Sequence, residues 1–480
     1  MSVTIYRIGA ASAALALLAG VLAVTSPLLA FAGILALGFV VLAAYDIAAG
    51  VAAFTILLLL EAVPPLAGSP AIKLGGAMLA ILLVWRHLAL LRLLNERRAI
   101  ACLAVFLVAW AGATSLWAQD PGVAVASASR LALGVVFMFV VYAAIRERQH
   151  VRWLIYAFLA GGILTVIIGV AGITPTVAEG RFVGVVGQPN VLASILVPAL
   201  ALGGFALASG QDRKSQALIA MSLVVMIYAL FLTGSRGGLV GLVVSLAMAV
   251  ILGGSLRKHI VAVLVVVIGV GVGYYGVIAP PAAKARITNV SAEGGSTGRL
   301  DIWTVSTAVS ADRPLLGVGA GNFPIVGPTY AAETANLSDI RFIVDTPKVV
   351  HNTYLEVLAE MGAPGLIAFL LMVGAAIASA VRAISAAHAA GDRELEFLGR
   401  GVAVALVGFL ATATFGSYEY RKELWLLLGL ATAMLYVVSH SNEVLRRRGL
   451  PNSAMTRPNY SGDISEVRSG SAAFNRGGPG

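Results

Sequence analysis

The sequence predicts an all-α polytopic membrane protein of about 12–14 transmembrane helices, with one large, partly helical loop outside the membrane. Three observations carry that reading. Of 480 residues, 59% are apolar and 12% are charged, against roughly 25% charged in ordinary soluble domains, and the mean hydropathy is +0.91. The apolar residues gather in runs of about 17–22, the length an α-helix needs to cross some 30 Å of hydrocarbon. A single long internal stretch, 280–351, breaks the pattern with polar, charged and glycine residues.

Taken in order, the runs lie near 8–25, 27–44, 49–64, 74–94, 101–118, 125–145, 152–173, 190–209, 215–233, 238–254 and 260–279. Three more follow the loop, near 356–387, 396–416 and 422–440, giving 14 candidates. The early runs are short and closely spaced, which sets the lower bound of the span count. Arg7 precedes the first run as it would in a signal peptide, but many spans follow, so the run reads as an uncleaved first helix. The chain thus divides into a transmembrane bundle (1–279), the loop (280–351), C-terminal transmembrane helices (352–440) and a tail (441–480). The tail is rich in Ser, Gly, Asn, Pro and Arg and reads as disordered. No internal repeat is visible to inspection.

A net charge of +10 invites a nucleic-acid reading, but the positive-inside rule accounts for it and excludes that partner. With a cytoplasmic N-terminus, alternate turns hold Arg92, Arg97 and Arg98; Arg146, Arg148 and Arg152; Arg213 and Lys214; Arg257 and Lys258; Arg393 and Arg400; and Arg446 to Arg448. The turns around Ser26, Pro65 and Asp120, on the other side, carry almost no Lys or Arg. Both termini are then cytoplasmic and the 280–351 loop faces outward. Cys102, the only cysteine, falls inside a span, which excludes an internal disulfide and a cysteine metal cluster.

The informative cations are those on the side where the rule does not place them. Arg181 lies in the turn Glu179 to Gly184, ahead of the span opened by Gly187-Gln188-Pro189-Asn190. Arg236 lies in Thr233-Gly234-Ser235-Arg236-Gly237-Gly238, and Arg299 follows Ser296 and Thr297, either of which can cap a short helix. His351 precedes Asn352-Thr353-Tyr354-Leu355-Glu356, where Thr353 and Glu356 have capping-box spacing. All four stand at or just before predicted helix N-termini on one side of the membrane. Unpaired N–H groups and a partial positive charge there suit a phosphate, and arginine adds a planar fork for its oxygens. Gly237 and Gly238 are expected to let a ligand approach the backbone. The bland alternatives are a headgroup anchor for Arg236, an exposed residue on an amphipathic helix for Arg299, and a structural role for His351.

Other signals point less far. Arg286, Arg313, Arg341, Lys348, Arg421 and Lys422 also face outward, but the loop holds as many carboxylates as cations, so most are expected in solvated pairs of small weight. Gly317-Val318-Gly319-Ala320-Gly321-Asn322-Phe323 follows no strand and lacks the Lys-Ser/Thr of a P-loop, so it reads as a turn after Asp312-Arg313-Pro314. Glu356 and Glu360 share one helix face at a span entrance, where carboxylates are costly and often functional. Glu360-Met361-Gly362-Ala363-Pro364-Gly365 is expected to kink that helix. No HExxH zinc signature occurs.

Together these residues resemble the O-antigen ligase and O-antigen polymerase superfamily. The resemblance rests on Gly180-Arg181-Phe182 with Gln188-Pro189-Asn190, Gly234 to Gly238, Gly298-Arg299-Leu300 to Trp303, Pro314 to Gly319, His351-Asn352 with Tyr354-Leu355-Glu356, and Glu360-Met361-Gly362. Ser115-Leu116-Trp117 with Asp120-Pro121 is similar to an upstream element of that family, and the whole covers roughly 100–440. It implies a GT-C-like glycosyltransferase of the bacterial inner membrane, acting on the periplasmic side without metal, nucleotide sugar or other cofactor. The implied donor is a glycan on undecaprenyl pyrophosphate, and the implied acceptor is lipid A core or another glycan repeat, both reached among membrane lipids. Arg181, Arg236 and Arg299 match the family's arginines near the pyrophosphate, and His351 matches its loop histidine. The expected reaction is an inverting displacement. His351 then positions or deprotonates the acceptor, its ordinary pKa near 6.5 suiting a neutral-pH base, with Glu356 and Glu360 as substitutes. O-antigen ligation is the leading reading. A polymerase of O-antigen or exopolysaccharide is the alternative within the superfamily, and a transporter or lipid flippase is the alternative outside it.

Overall fold

The computed structural model describes residues 27–63, 71–87, 97–172, 177–178, 180–210, 212–281, 284, 297–335, 337 and 340–447. Before the loop run α1 (Pro27–Tyr45), α2 (Ile47–Leu59), α3 (Ala71–His87), α4 (Arg98–Ala113), α5 (Pro121–Ala144), α6 (Arg148–Val170), α7 (Pro189–Ala208), α8 (Arg213–Leu232), α9 (Arg236–Leu252) and α10 (Arg257–Gly273). The loop contributes α11 (Thr297–Asp312), α12 (Phe323–Glu333) and a single turn, Arg341–Val344. Then come α13 (Thr353–Ala389), α14 (Arg393–Thr412) and α15 (Lys422–Arg447). Thirteen of the 14 expected runs are therefore helices. The run at 8–25 and the tail beyond 447 lie outside the described residues, as do Ser296 and Arg286. Among the described residues nine helices are long and apolar enough to cross a membrane; α2 and α9 are among the shorter apolar ones.

Local sequence sets most boundaries. Asp120, Asp212 and Asp392 cap α5, α8 and α14 by accepting backbone N–H bonds, and proline opens α5 and α7. In the core α14 packs on α7 and α9, and α15 packs on α13 and α5. Trp425 of α15 is fully buried on α5, where a Cβ at Gly134 would stand 2.4 Å from its ring. At one end of the bundle, Arg148 bonds Asp392 and reaches Glu394 at 2.9 Å, while buried Arg400 pairs with Glu396 and donates to the Gly253 carbonyl at 2.9 Å. These pairs hold the starts of α6 and α14 against the end of α9. The starts of α7, α9, α13 and α15 gather at the opposite end.

At that opposite end α13 breaks as its sequence predicts: Gly362 has φ 65 and ψ −173 inside an otherwise helical run. The broken helix ladder is completed by the glycine turn. The Val318 amide donates to the Ala359 carbonyl, Gly319 to Glu360, and Ala363 to Pro314, all at 2.8–2.9 Å. The two backbones lie so close that a Cβ at Gly362 would stand 2.2 Å from the Leu315 carbonyl oxygen, and one at Gly317 would stand 2.4 Å from that of Glu360. Trp110 Nε1 caps the Met361 carbonyl at 2.7 Å. The 317–323 segment is therefore a structural brace.

Candidate functional site

The first cation is aimed by a small hairpin. Val177–Ala178 pairs antiparallel with Arg181–Phe182 across a turn at Gly180, whose φ of 71 favours glycine. Arg181 Nε donates to the Thr233 carbonyl at 2.7 Å and Nη2 to Asn190 Oδ1 at 3.1 Å. The same Asn190 oxygen accepts from Ser235 Oγ at 2.8 Å, and Ser235 in turn caps α9 by accepting the Gly238 amide at 3.1 Å. One side chain at the start of α7 thus ties Arg181 to the N-terminus of the helix that Arg236 opens. Gly237 and Gly238 serve packing here. A Cβ would stand 2.6 Å from Phe415 at the first and 2.5 Å from Ala193 at the second, so, contrary to the expectation from the sequence, neither leaves room for a ligand.

Arg299 arrives from α11. One helical turn on, Trp303 stacks obliquely on Phe415 with centroids 6.1 Å apart, and its Nε1 donates to the Val350 carbonyl at 3.1 Å. Phe415 is also the ring against Gly237, so Arg299, Arg236 and His351 are drawn to one place. Burial first holds the Arg299 guanidinium below its ordinary value; Tyr418 opposes the fall and the Arg236 charge adds to it.

His351 adopts φ 55 and is the single non-glycine residue with positive φ among the described residues. A left-handed backbone costs such a residue about 1–2 kcal/mol and recurs at functional sites. Its own N–H donates to Ser417 Oγ at 3.1 Å. Burial, then the charges of Arg299 and Lys348, push the imidazole from 6.5 down to about 4. At neutral pH it is uncharged, with a lone pair to offer, but it is a weaker base than its ordinary value implied.

The two helix carboxylates have hydrogen-bond partners of their own. Glu360, 1% exposed, accepts the Gly321 amide at 2.6 Å and the Phe323 amide at 3.3 Å, fastening the glycine turn. Glu356 accepts from Ser417 Oγ. The expected capping box is replaced: Asn352 Oδ1 accepts from Tyr354 at 3.0 Å and Leu355 at 3.2 Å, which leaves Thr353 and Glu356 to hold the 416–418 backbone and side chains.

That turn was the part least expected from the sequence. Arg421 bonds the buried Glu423 at 2.6 Å and is anchored where a solvated pair was expected, while Lys422 with Glu61 and Arg313 with Asp312 are the solvent-facing pairs. Glu419 is 2% exposed and, among the described residues, neither carboxylate oxygen meets another residue's donor. Burial, then the carboxylates of Glu356 and Glu360, hold it well above its ordinary value. A carboxylate and two tyrosines in the brief polar break Gly416 to Arg421 were the available signal. Among the described residues no three His, Cys, Asp or Glu side chains gather as a metal ion would require.

Residues 221–370 match the family model described as O-antigen ligase. The match supports the superfamily resemblance, and it takes in Arg236, Arg299 and His351 while leaving Arg181 and the 416–421 turn outside. No curated protein matches the chain.

Proposed function

We propose that this membrane protein, whose residues 221–370 match the O-antigen ligase family model, transfers a glycan from undecaprenyl pyrophosphate to an acceptor hydroxyl, most specifically O-antigen to lipid A core, at the periplasmic end of the bundle. The observation that supports it best is the convergence of Arg181, Arg236 and Arg299 with a neutral His351 at one end of the spans, through Asn190, Phe415 and Trp303. In the reaction the acceptor oxygen bonds the anomeric carbon from the face opposite the diphosphate, and the carbon–oxygen bond to the diphosphate breaks with inversion. Negative charge grows on the departing diphosphate, so arginines already in place favour the transition state over the ground state. No metal is assigned a part. His351 accepts the hydrogen bond of the acceptor hydroxyl and takes its proton as the new bond forms. Glu356 and Glu360 hold the surrounding backbone.

The test is purified protein in proteoliposomes with carrier-linked glycan and lipid A core, without ATP or added metal. Transfer is expected from the wild type and is expected to vanish in Arg236→Ala and His351→Ala proteins that still insert normally. Full activity in both variants overturns the site. In a deletion strain, free core with polymer retained on the carrier supports ligation, and single-repeat caps indicate a polymerase instead.

A further inference from the structure

The connection Gly416 to Arg421 reaches both halves of the candidate site through two adjacent residues. Tyr418 is buried against Phe409, ring centroids 5.8 Å apart, and its ring folds back over Gly416, where a Cβ would lie 2.3 Å away. Its hydroxyl donates to the Asn190 carbonyl at 3.0 Å, and Asn190 is the residue that binds Arg181 and Ser235. Burial first raises the phenol to about 12, so the hydroxyl keeps the proton it donates. On the other side, the Tyr418 amide donates to Thr353 Oγ1 at 2.8 Å, and Ser417 Oγ accepts the His351 N–H at 3.1 Å while donating to Glu356. The left-handed backbone of His351 is thus fastened by Ser417, and the arginine side of the pocket is fastened by Tyr418.

We infer that Ser417 and Tyr418 are positioning residues that set the separation between the arginine-bound diphosphate and the hydroxyl held by His351. The inference rests on the transfer reaction proposed above. Neither residue touches a reacting atom; both act through Asn190 and His351. Displacing one reactant by about 1 Å can lower a transfer rate roughly 100-fold without weakening its binding, so a positioning role has a kinetic signature that simple support of the fold lacks.

The experiment measures kcat, donor KM and direct binding of undecaprenyl pyrophosphate for full-length wild type, Ser417→Ala, Ser417→Thr and Tyr418→Phe in proteoliposomes. Ser417→Ala and Tyr418→Phe are expected to lower kcat about tenfold or more, the effect of one lost hydrogen bond. Donor KM and undecaprenyl pyrophosphate binding should stay within about twofold of wild type. Ser417→Thr, which restores the hydroxyl, should recover most of kcat. Unchanged kcat, donor binding lost in step with kcat, or a threonine variant no better than alanine each overturns the inference. A wild type that transfers nothing overturns the transferase reading itself, so the two failures are distinguishable.

Discussion

Trp303 joins α11 to Val350 by an indole N–H···O=C bond of 3.1 Å, which sets Arg299, one helical turn before Trp303, beside His351, the residue after Val350. The Arg299 guanidinium is therefore one of the charges that hold the His351 imidazole below its ordinary pKa.

A pH dependence follows from that coupling. With burial, Arg299 and Lys348 acting together, free His351 titrates at about 4. The diphosphate proposed to bind there would offset the Arg299 charge, making protonation easier and raising the pKa. His351 must be neutral to accept a hydrogen bond, so activity is lost as pH falls through its pKa. The acid limb of kcat/KM, which reports the free enzyme, is expected near pH 4, and the limb of kcat, which reports the donor complex, at higher pH. Arg299→Gln should move the free-enzyme limb upward. Pairs of pH–rate profiles check both statements, and coincident limbs would sink the coupling.

The brace at the α13 kink gives a stability prediction. Gly362 and Gly317 have φ of 65 and 66 and face each other's strands of backbone with no room for a methyl group. Alanine at either site meets a left-handed penalty of about 1–2 kcal/mol, plus contact with a carbonyl that the brace fixes in place. Gly362→Ala and Gly317→Ala should each lower the thermal unfolding temperature in detergent by several degrees. Gly374→Ala, inside α13 where a Cβ meets nothing within 4 Å, is the control expected to leave it unchanged or raise it slightly.

The bundle was legible in the sequence because span length and the alternation of basic turns are one-dimensional signals. So was the kink: Gly362, Pro364 and Gly365 cannot sustain a straight helix wherever they sit. The cations Arg181, Arg236 and Arg299 stood out for the same reason, by breaking a charge rule that is read along the chain. What was not legible is pairing across distance. Glu360 looks free on a helix face until the glycine turn takes its oxygens, and Gly237 looks open until Phe415 fills the space. Tyr418 carries no motif that points to Asn190, a residue more than two hundred positions away.

Asn190 itself should be more sensitive than a lone amide on a helix. Its Oδ1 satisfies both Arg181 and Ser235, and leaving a polar group without its partner costs about 1–3 kcal/mol. Asn190→Leu is expected to raise donor KM about tenfold or more by releasing the Arg181 fork. Asn190→Asp keeps the acceptor oxygen and should hold Arg181, yet it adds a negative charge beside the proposed diphosphate site, so its donor affinity should fall more steeply at low salt than at high salt. Donor titrations at two ionic strengths separate these outcomes.

Glu419 reverses the usual behaviour of a carboxylate. Its pKa is raised well above 4.5 in the folded protein by burial and by Glu356 and Glu360. The folded state therefore holds a proton that the unfolded chain has released, and stability declines as pH rises above about 4.5. Glutamine cannot ionise, so Glu419→Gln is expected to unfold at a higher temperature than wild type at pH 8, with the difference shrinking toward pH 5. The gain should grow by up to about 1.4 kcal/mol for each pH unit above 4.5 over which the folded protein keeps the proton. Thermal unfolding of the two proteins across that range decides it: a difference that stays constant with pH means that Glu419 is not held protonated by its surroundings.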